Sequence, residues 1–402
     1  MPSPRKTSPK PARPPEHRRE IWVETQEGLD RLAETLKGEP VLAIDCEMDS
    51  MFSYRTNLCL LQVGWPGGDA LIDTLVDLDL STLGALFADA TVAKVFHGGE
   101  NDIGILASQK GQSFENIFDT MAAAQILGHE GVGLAASLER HFEVSVSKKF
   151  QKADWRVRPL PKEQAEYART DVQYLISLRE ILLSDLKAME RVDEAESEFN
   201  RINKAFFKTQ PFNPDQWVRI KGARELEPRL RGSLKELYVA RDALAETRNW
   251  APYRVLQEWA LLEILRRRPK TEKDLKKIRG VSRRLSSTDC ETLLDALRKG
   301  AKIGEISLPE NRRRNAPRGG GIGGMSPEQQ VFFDALREWR KKRAEDRGVE
   351  VSRVATNLIL AAVSRAQPAD INALADLPEM EPWRLKEYGK EIMSAMVEAK
   401  KK

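Results

Sequence analysis

The sequence predicts an α/β domain, a mixed sheet with flanking helices, followed by two all-α modules. Three observations carry this prediction. Short apolar runs broken by Gly and Pro crowd the first hundred residues and then alternate with helical stretches, as in an α/β domain. Beyond residue 191 the strand patterning disappears and only helical periodicity remains. Charge divides at the same place. Residues 24–190 carry 15 Lys and Arg against 27 Asp and Glu, whereas residues 191–402 carry 44 against 32, so an acidic part is joined to a basic part. A basic part suits a polyanion such as nucleic acid, and cation binding is one explanation of the acidic part. At 402 residues the chain exceeds a single core of ordinary size.

Residues 1–20, rich in Pro, Lys and Arg and without an apolar core, read as a disordered basic tail and not as a secretory signal. Val41-Leu42-Ala43-Ile44 reads as a buried strand ending at Asp45. Residues 58–63 (LCLLQV) form a second strand, closed by Gly64, Pro66 and Gly67-Gly68, and residues 70–73 form a third. Ser81 caps a helix to about residue 87. Residues 92–96 form a fourth strand, and His97-Gly98-Gly99 turns the chain into a helix from Glu100. Helices are predicted over 120–127, 134–142 and 162–186.

In the basic part, helices are predicted over 234–246, 251–267, 271–278 and 290–299, then 327–345, 352–361, 368–375 and 381–400. A Pro- and Gly-rich stretch holding Arg312-Arg313-Arg314 separates the two sets and reads as a flexible basic linker. Both sets show a long helix with a Trp (Trp259; Trp339) and a short helix opened by Thr271 or Pro368, which indicates an internal duplication. The expected division is a tail over 1–20, an α/β domain over 21–208, a helical module over 209–305, a linker over 306–325 and a second module over 326–402. No apolar run approaches the ~18–20 residues of a membrane span. The three cysteines, Cys46, Cys59 and Cys290, show neither metal-ligand spacing nor a disulfide framework, which fits a reducing, cytoplasmic compartment.

Chemistry is carried by acidic residues. Asp45 and Glu47 stand two apart at a strand end, so both point to one face, where they repel unless a cation neutralises them. Oxygen-only ligands suit hard cations such as Mg²⁺ or Mn²⁺. Asp102 opens a helix after a strand and turn, a place that Asp also takes as a helix cap. Tyr167 and Asp171, four apart, share a helix face and are close enough to hold a water between them.

Taken in order, these positions resemble the DEDD exonuclease superfamily of the ribonuclease H-like fold, in its tyrosine (DEDDy) subtype. VLAIDCEMDSM, LCLLQVG, VFHGGENDIGIL, DWRVRPL and YARTDVQYL are similar to the successive blocks of the ribonuclease D family, and the helical modules resemble HRDC domains. Two departures are small: Cys46 stands where Thr is commoner, and Asn101 precedes Asp102. The resemblance implies a metal-dependent 3′→5′ exoribonuclease that trims RNA with a free 3′ end, such as tRNA precursors and small structured RNAs. It assigns Asp45, Glu47, Asp102 and Asp171 to two divalent metal ions, Mg²⁺ or Mn²⁺, and Tyr167 to the attacking water. Met48, Met51, Gln62, His97, Trp155 and Arg158 are candidate substrate or support residues, Trp155 and Arg158 along the RNA path and Gln62 behind the site. Arg266-Arg267-Arg268, the run Lys273, Lys276, Lys277 and Arg279, the pair Arg283-Arg284 and Arg312-Arg313-Arg314 are candidate phosphate contacts. A monomer is expected. The alternatives are a 3′→5′ DNA exonuclease of the same superfamily and, from another class, a non-catalytic nucleic-acid-binding scaffold; side-by-side digestion of RNA and DNA and an EDTA control discriminate them.

Overall fold

The structure is a computed structural model that describes residues 18–147, 149–206, 211–308 and 324–400. Most of the expected tail and the Arg312-Arg313-Arg314 triplet lie outside the described residues. A six-stranded sheet forms the core of the first domain: β1 (Arg19–Val23), β2 (Val41–Met48), β3 (Leu58–Trp65), β4 (Gly68–Asp73), β5 (Ala93–Phe96) and β6 (Ile117–Asp119). Their order in the sheet is β1-β4-β3-β2-β5-β6. Only β3 runs antiparallel to its neighbours, so the sheet is mixed as expected. All eight residues of β3 are buried, which its unbroken apolar run requires of a central strand.

Helices α1 (Gln26–Leu36), α2 (Ser81–Phe87), α3 (Glu100–Lys110), α4 (Thr120–Ile126), α5 (Leu134–Phe142), α6 (Lys162–Gln173), α7 (Leu175–Ala188) and α8 (Val192–Asn203) complete the domain. Several expectations are corrected. Arg19 and Glu20 belong to β1 and not to a tail. Strand β2 does not end at Asp45 but carries Asp45 and Glu47 within it, and β3 does not close at Gly64 but passes through it to Trp65. Ser81 caps nothing, because the residue before α2 is Leu80 and no side chain caps it. The helix expected over 162–186 is two helices, broken at Tyr174. Strands β1 and β6 and helices α1 and α8 were not foreseen.

Glycine 64 decides how the layers meet. Its cross-strand partner is Ala43, and a Cβ there would stand 3.3 Å from both the Cβ and the carbonyl oxygen of Val172 on α6. A glycine in mid-strand therefore lets α6 lie close over the face that carries Ala43, Asp45 and Glu47. The register of α6 is fixed by the fully buried Asp69 of β4. It is paired with Arg169 and accepts from Gln173 Nε2 at 3.2 Å, while Arg18 Nε stands 3.7 Å away.

Beyond α8, the described residues fold as two modules of five α-helices each. The first comprises α9 (Arg231–Arg248), α10 (Pro252–Val255), α11 (Glu258–Arg267), α12 (Glu272–Lys276) and α13 (Ser287–Ile303). The second comprises α14 (Pro327–Arg347), α15 (Val351–Val354), α16 (Asn357–Ala366), α17 (Ile371–Ala375) and α18 (Pro382–Ala399). The helices correspond one to one, and so do their joints: Asn249 and Gly348 end the long helices with positive φ, and Arg268 (φ 48°) and Gln367 (φ 46°) end α11 and α16. The duplication stands, but its expected markers were mismatched. Trp259 lies on the third helix of the series and Trp339 on the first. Asp370, not Pro368, caps the short α17, as Thr271 caps α12.

Both modules dock on the first domain through the same short helix and its surroundings. Next to α10, the Ala251 N–H donates to the Phe52 carbonyl at 3.0 Å and the Tyr54 hydroxyl to Asp242 at 2.7 Å. Beside α15, Arg347 pairs with Glu194 at 2.7 Å and Arg353 with Glu198 at 2.9 Å, both acids on α8.

Replacing Gly64 by Val forces α6 away from the sheet. The expected cost is about 1–3 kcal/mol, read in thermal unfolding as a fall of about 2–4 °C per kcal/mol for a domain of this size. An unchanged transition would show that α6 does not depend on that close approach.

Candidate active site

Strand β2 presents Asp45 and Glu47 on the face covered by α6, each beside a residue of β3: Asp45 opposite Gln62 and Glu47 opposite Leu60. Asp171 comes down from α6, one residue before the Val172 that rests against Gly64. One carboxylate oxygen from each of Asp45, Glu47 and Asp171 lies within 4.8 Å of the others.

Asp102 is brought up from a different direction. Strand β5 ends at Phe96, and the chain turns through His97, Gly98 (φ 71°) and Gly99 into α3. Asp119, fully buried at the start of α4, clamps this turn: its carboxylate accepts the N–H of Gly99 and the N–H of Ala122, both at 2.8 Å. No side chain caps α3, so Asp102 is not there as a cap. It is buried, outside the set of three, and its titration responds to Asp45, Asp119 and Asp171.

All four carboxyls titrate well above the ordinary carboxylate range. Burial is the largest cause for each, and for Glu47, Asp102 and Asp171 the charge of Asp45 follows. A site that holds protons because its acids crowd together is one that a divalent cation relieves. The donors are oxygens only, which fits a hard cation. Cys46 is no competitor as a ligand: it alternates to the other face, and burial followed by the charges of Asp102, Asp45 and Glu47 keeps it a thiol.

The residues around this core divide into supports and corrected expectations. Tyr167, half-buried, stands four residues before Asp171, with its ring 5.9 Å from Phe150 and 6.1 Å from Trp155. Burial and then the charges of Asp171, Glu47 and Asp45 push its phenol above the usual value, so it stays protonated at neutral pH. Trp155 is 1% exposed and does not line an RNA path; it backs Tyr167. Arg158 is no RNA contact either. It grips Asp73 with Nε (2.6 Å) and Nη2 (2.8 Å) and donates to the Cys59 carbonyl at 2.8 Å, which ties the DWRVRPL segment to the sheet. Gln62 sits beside Asp45 on the same face and not behind the site; neither atom of its buried amide has a partner. His97 bonds Thr120 Oγ through Nδ1 at 2.9 Å, and burial pushes its pKa down to about 4. Met48 packs in part against the core, whereas Met51 is exposed and its carbonyl accepts from the Tyr253 hydroxyl.

Sequence reasoning missed Gly64, Asp69, Asp119 and Arg169, which position the carboxylates without joining them. Only Gly64 gave a local sign, as a glycine at the expected close of strand 58–63, and the structure puts it inside β3.

The sheet with its acidic mouth, followed by paired helical modules, defines a metal-dependent 3′→5′ exonuclease. The 3′-5′ exonuclease family matches residues 21–187, and the HRDC domain matches residues 231–297 and 329–396. Ribonuclease D of Sphingobium indicum is 32% identical over 364 residues, 88% of each chain. The catalytic core of RRP6 from Trypanosoma brucei superimposes with a TM-score of 0.67 at 26% identity, over 74% of this chain and 84% of that one. Escherichia coli RNase D shares the fold with a TM-score of 0.60 at 23% identity, over 94% of this chain and 99% of that one. The chain belongs to the ribonuclease D family. It is a 3′→5′ exoribonuclease, a hydrolase that acts on RNA and depends on divalent metal ions. Among the described residues, no helix is long and apolar enough to cross a membrane.

The raised carboxyl pKa values set a pH dependence. Carboxyls held protonated by the fold contribute stability at low pH, and that contribution is lost as pH rises through their folded values, from about 7 for Asp45 upward. The metal-free protein is therefore expected to lose thermal stability between about pH 6 and about pH 9, and saturating Mn²⁺ to restore more at the higher pH, since the anionic site binds the ion. Unfolding curves with Mn²⁺ and with EDTA check this; a metal increment independent of pH contradicts it.

Proposed function

We propose that Asp45, Glu47, Asp102 and Asp171 hold two divalent ions, Mg²⁺ or Mn²⁺, and that Tyr167 positions the water that attacks the last phosphodiester. The substrates are tRNA precursors and other small structured RNAs with a free 3′ end, released one nucleoside 5′-monophosphate at a time. The observation that carries this reading is the convergence of the oxygens of Asp45, Glu47 and Asp171 within 4.8 Å, in a member of this family. When bound, such ions lower the pKa of the attacking water and neutralise charge on the attacking and leaving oxygens.

The chain's own groups do the rest. Asp45, flanked by Glu47 and Asp171, is the central ligand, and Asp102 completes the set from the α3 side. Tyr167, kept a neutral phenol by its surroundings, orients the water by hydrogen bonding and does not remove its proton. The Trp155 ring behind it limits its motion. We further read the chain as a cytoplasmic monomer divided at 21–208, 209–305, 306–325 and 326–402, with the tandem modules holding structured RNA against the nuclease domain.

Asp45→Asn and Asp171→Asn are each expected to abolish hydrolysis while the circular dichroism spectrum stays that of the parent; full activity in either purified variant removes the assignment. Tyr167→Phe is expected to slow turnover about 10²-fold with Mn²⁺ affinity unchanged, and an unaltered rate moves the water-positioning role elsewhere. Digestion of 3′-labelled RNA beside DNA of the same sequence tests the substrate.

A further inference from the structure

We propose that the cleft lined by Trp250, Tyr253, Arg254, Gln257, Ser282 and Arg284 is a subsite for single-stranded RNA, gripping a nucleotide a few positions upstream of the scissile end. The proposal rests on the exoribonuclease reading and adds to it a site in the first helical module.

Position comes first. The cleft encloses about 320 Å³, enough for a small ligand part such as one nucleotide unit. It opens where α10 meets the loop that follows β2. The Tyr253 hydroxyl donates to the Met51 carbonyl, and the Ala251 N–H to that of Phe52. Met51 lies four residues beyond Glu47, a chain span of at most ~14 Å. The loop between them is stiff. Asp49, 2% exposed, accepts Ser53 Oγ at 2.5 Å and the Asn57 N–H at 2.7 Å. The spacing from the carboxylates to the cleft is therefore set by packing and not by a flexible tether.

Chemistry comes second. Single-stranded RNA needs a cation for its phosphates and flat faces for its bases. Arg254 stacks at 4.7 Å on the Phe52 ring, whose centroid lies 5.2 Å from Arg156, so its guanidinium is held in place before any ligand arrives. Arg284 is exposed and, among the described residues, forms no ion pair. Arg266 and Arg267 of the same module, by contrast, both lean on Glu263. Trp250 and Tyr253 supply the aromatic faces, and the Gln257 amide supplies a donor and an acceptor.

The back wall is preformed. Leu256 bridges Val281, Gln257 N–H donates to the Gly280 carbonyl at 2.8 Å, and Ser282 N–H donates to that of Val255 at 3.0 Å. Gly280 has φ 90°, and a Cβ there would stand 2.8 Å from Ala260 and Trp259, so this wall is built tightly around a glycine. The duplicated module gives a contrast. Arg353 occupies the place of Arg254 in the series, but it is paired with Glu198 and bonded to Gln125. Both positions line a cleft, but among the described residues the arginines around Arg353 are all paired, whereas Arg284 beside Arg254 is not.

The test uses the full chain with Mn²⁺ and compares a dinucleotide, too short to reach the cleft, with an oligoadenylate of about ten nucleotides. Arg284→Glu is expected to raise KM for the longer substrate about tenfold with kcat kept, to leave the dinucleotide unaffected, and to lessen the slope of log KM against log salt by about one. Trp250→Leu, which removes a stacking face and not a charge, is expected to raise KM for the longer substrate without changing the salt slope. Arg298→Glu, an equal charge change in the same module away from the cleft and at a residue paired with Glu291 and Asp295, is expected to do neither. The proposal is overturned if Arg284→Glu keeps the parent KM, or if Arg298→Glu reproduces its effect. Should the parent chain cleave neither substrate, the exoribonuclease reading falls. Fluorescence anisotropy of the labelled longer oligonucleotide in EDTA then decides the cleft, and an unchanged Kd for Arg284→Glu overturns it.

Discussion

Holding the carboxylates of Asp45, Glu47 and Asp171 within 4.8 Å of one another, in a largely buried place, is work done against both desolvation and mutual repulsion. A loose scaffold would relax and let them part. Each is therefore attached to something that cannot relax. Asp45 and Glu47 ride on a strand paired on both sides, by β3 and by β5. Asp171 rides on a helix fixed twice over, by its contact with Gly64 and by the buried pairing of Arg169 with Asp69. Asp102 follows a turn whose backbone amides are claimed by Asp119. Removing one partner of such a buried pair strands a charge, which is why these supports tolerate change poorly.

The same logic explains why two residues that look like substrate contacts are structural. Arg158 reads as an exposed cation in DWRVRPL, yet its guanidinium is spent on Asp73 and on the carbonyls of Cys59, Trp155 and Val157. A fork that satisfies two carboxylate oxygens and three carbonyls has no donor geometry left for phosphate. Trp155 in turn is enclosed with Cys59, Leu60, Leu71 and Ala168, and Tyr167 packs on that cluster. What these residues give the reaction, on the proposed mechanism, is a fixed phenol.

Much of this was legible in the sequence, and the rest was hidden for physical reasons. The central strands announce themselves because strands buried on both faces are written as apolar runs. Asp45, Glu47, Tyr167 and Asp171 were legible because their spacings, two on a strand and four on a helix, translate directly into a shared face. Strand β6 was not, since three residues carry no period. Asp69, Asp119 and Arg169 were not, since each acquires its meaning from a partner 20 residues or more away in the chain. The duplication was seen with the wrong landmarks, because Trp is conspicuous in composition while the true correspondence lies in joints, the positive-φ residues 268 and 367, that no side-chain type announces.

Charge totals mislead in a similar way. The excess of Lys and Arg after residue 191 suggests a large phosphate-binding surface, but much of it is engaged within the protein. Arg347, Arg353 and Lys386 face Glu194, Glu198 and Asp193 on α8, so cations of the second module are used to dock it on the first domain, against acids that themselves lie beyond residue 191. Within the first module Lys276 is paired with Glu272, and Arg298 with Glu291 and Asp295. Ion pairs on exposed surface are weak individually, yet each lowers the field that a polyanion meets. What guides RNA is the residue of cations left unpaired and where they stand relative to the carboxylates. On that criterion Arg284, exposed at the cleft that abuts the loop leaving β2, counts for more than Arg266 and Arg267, which Glu263 engages.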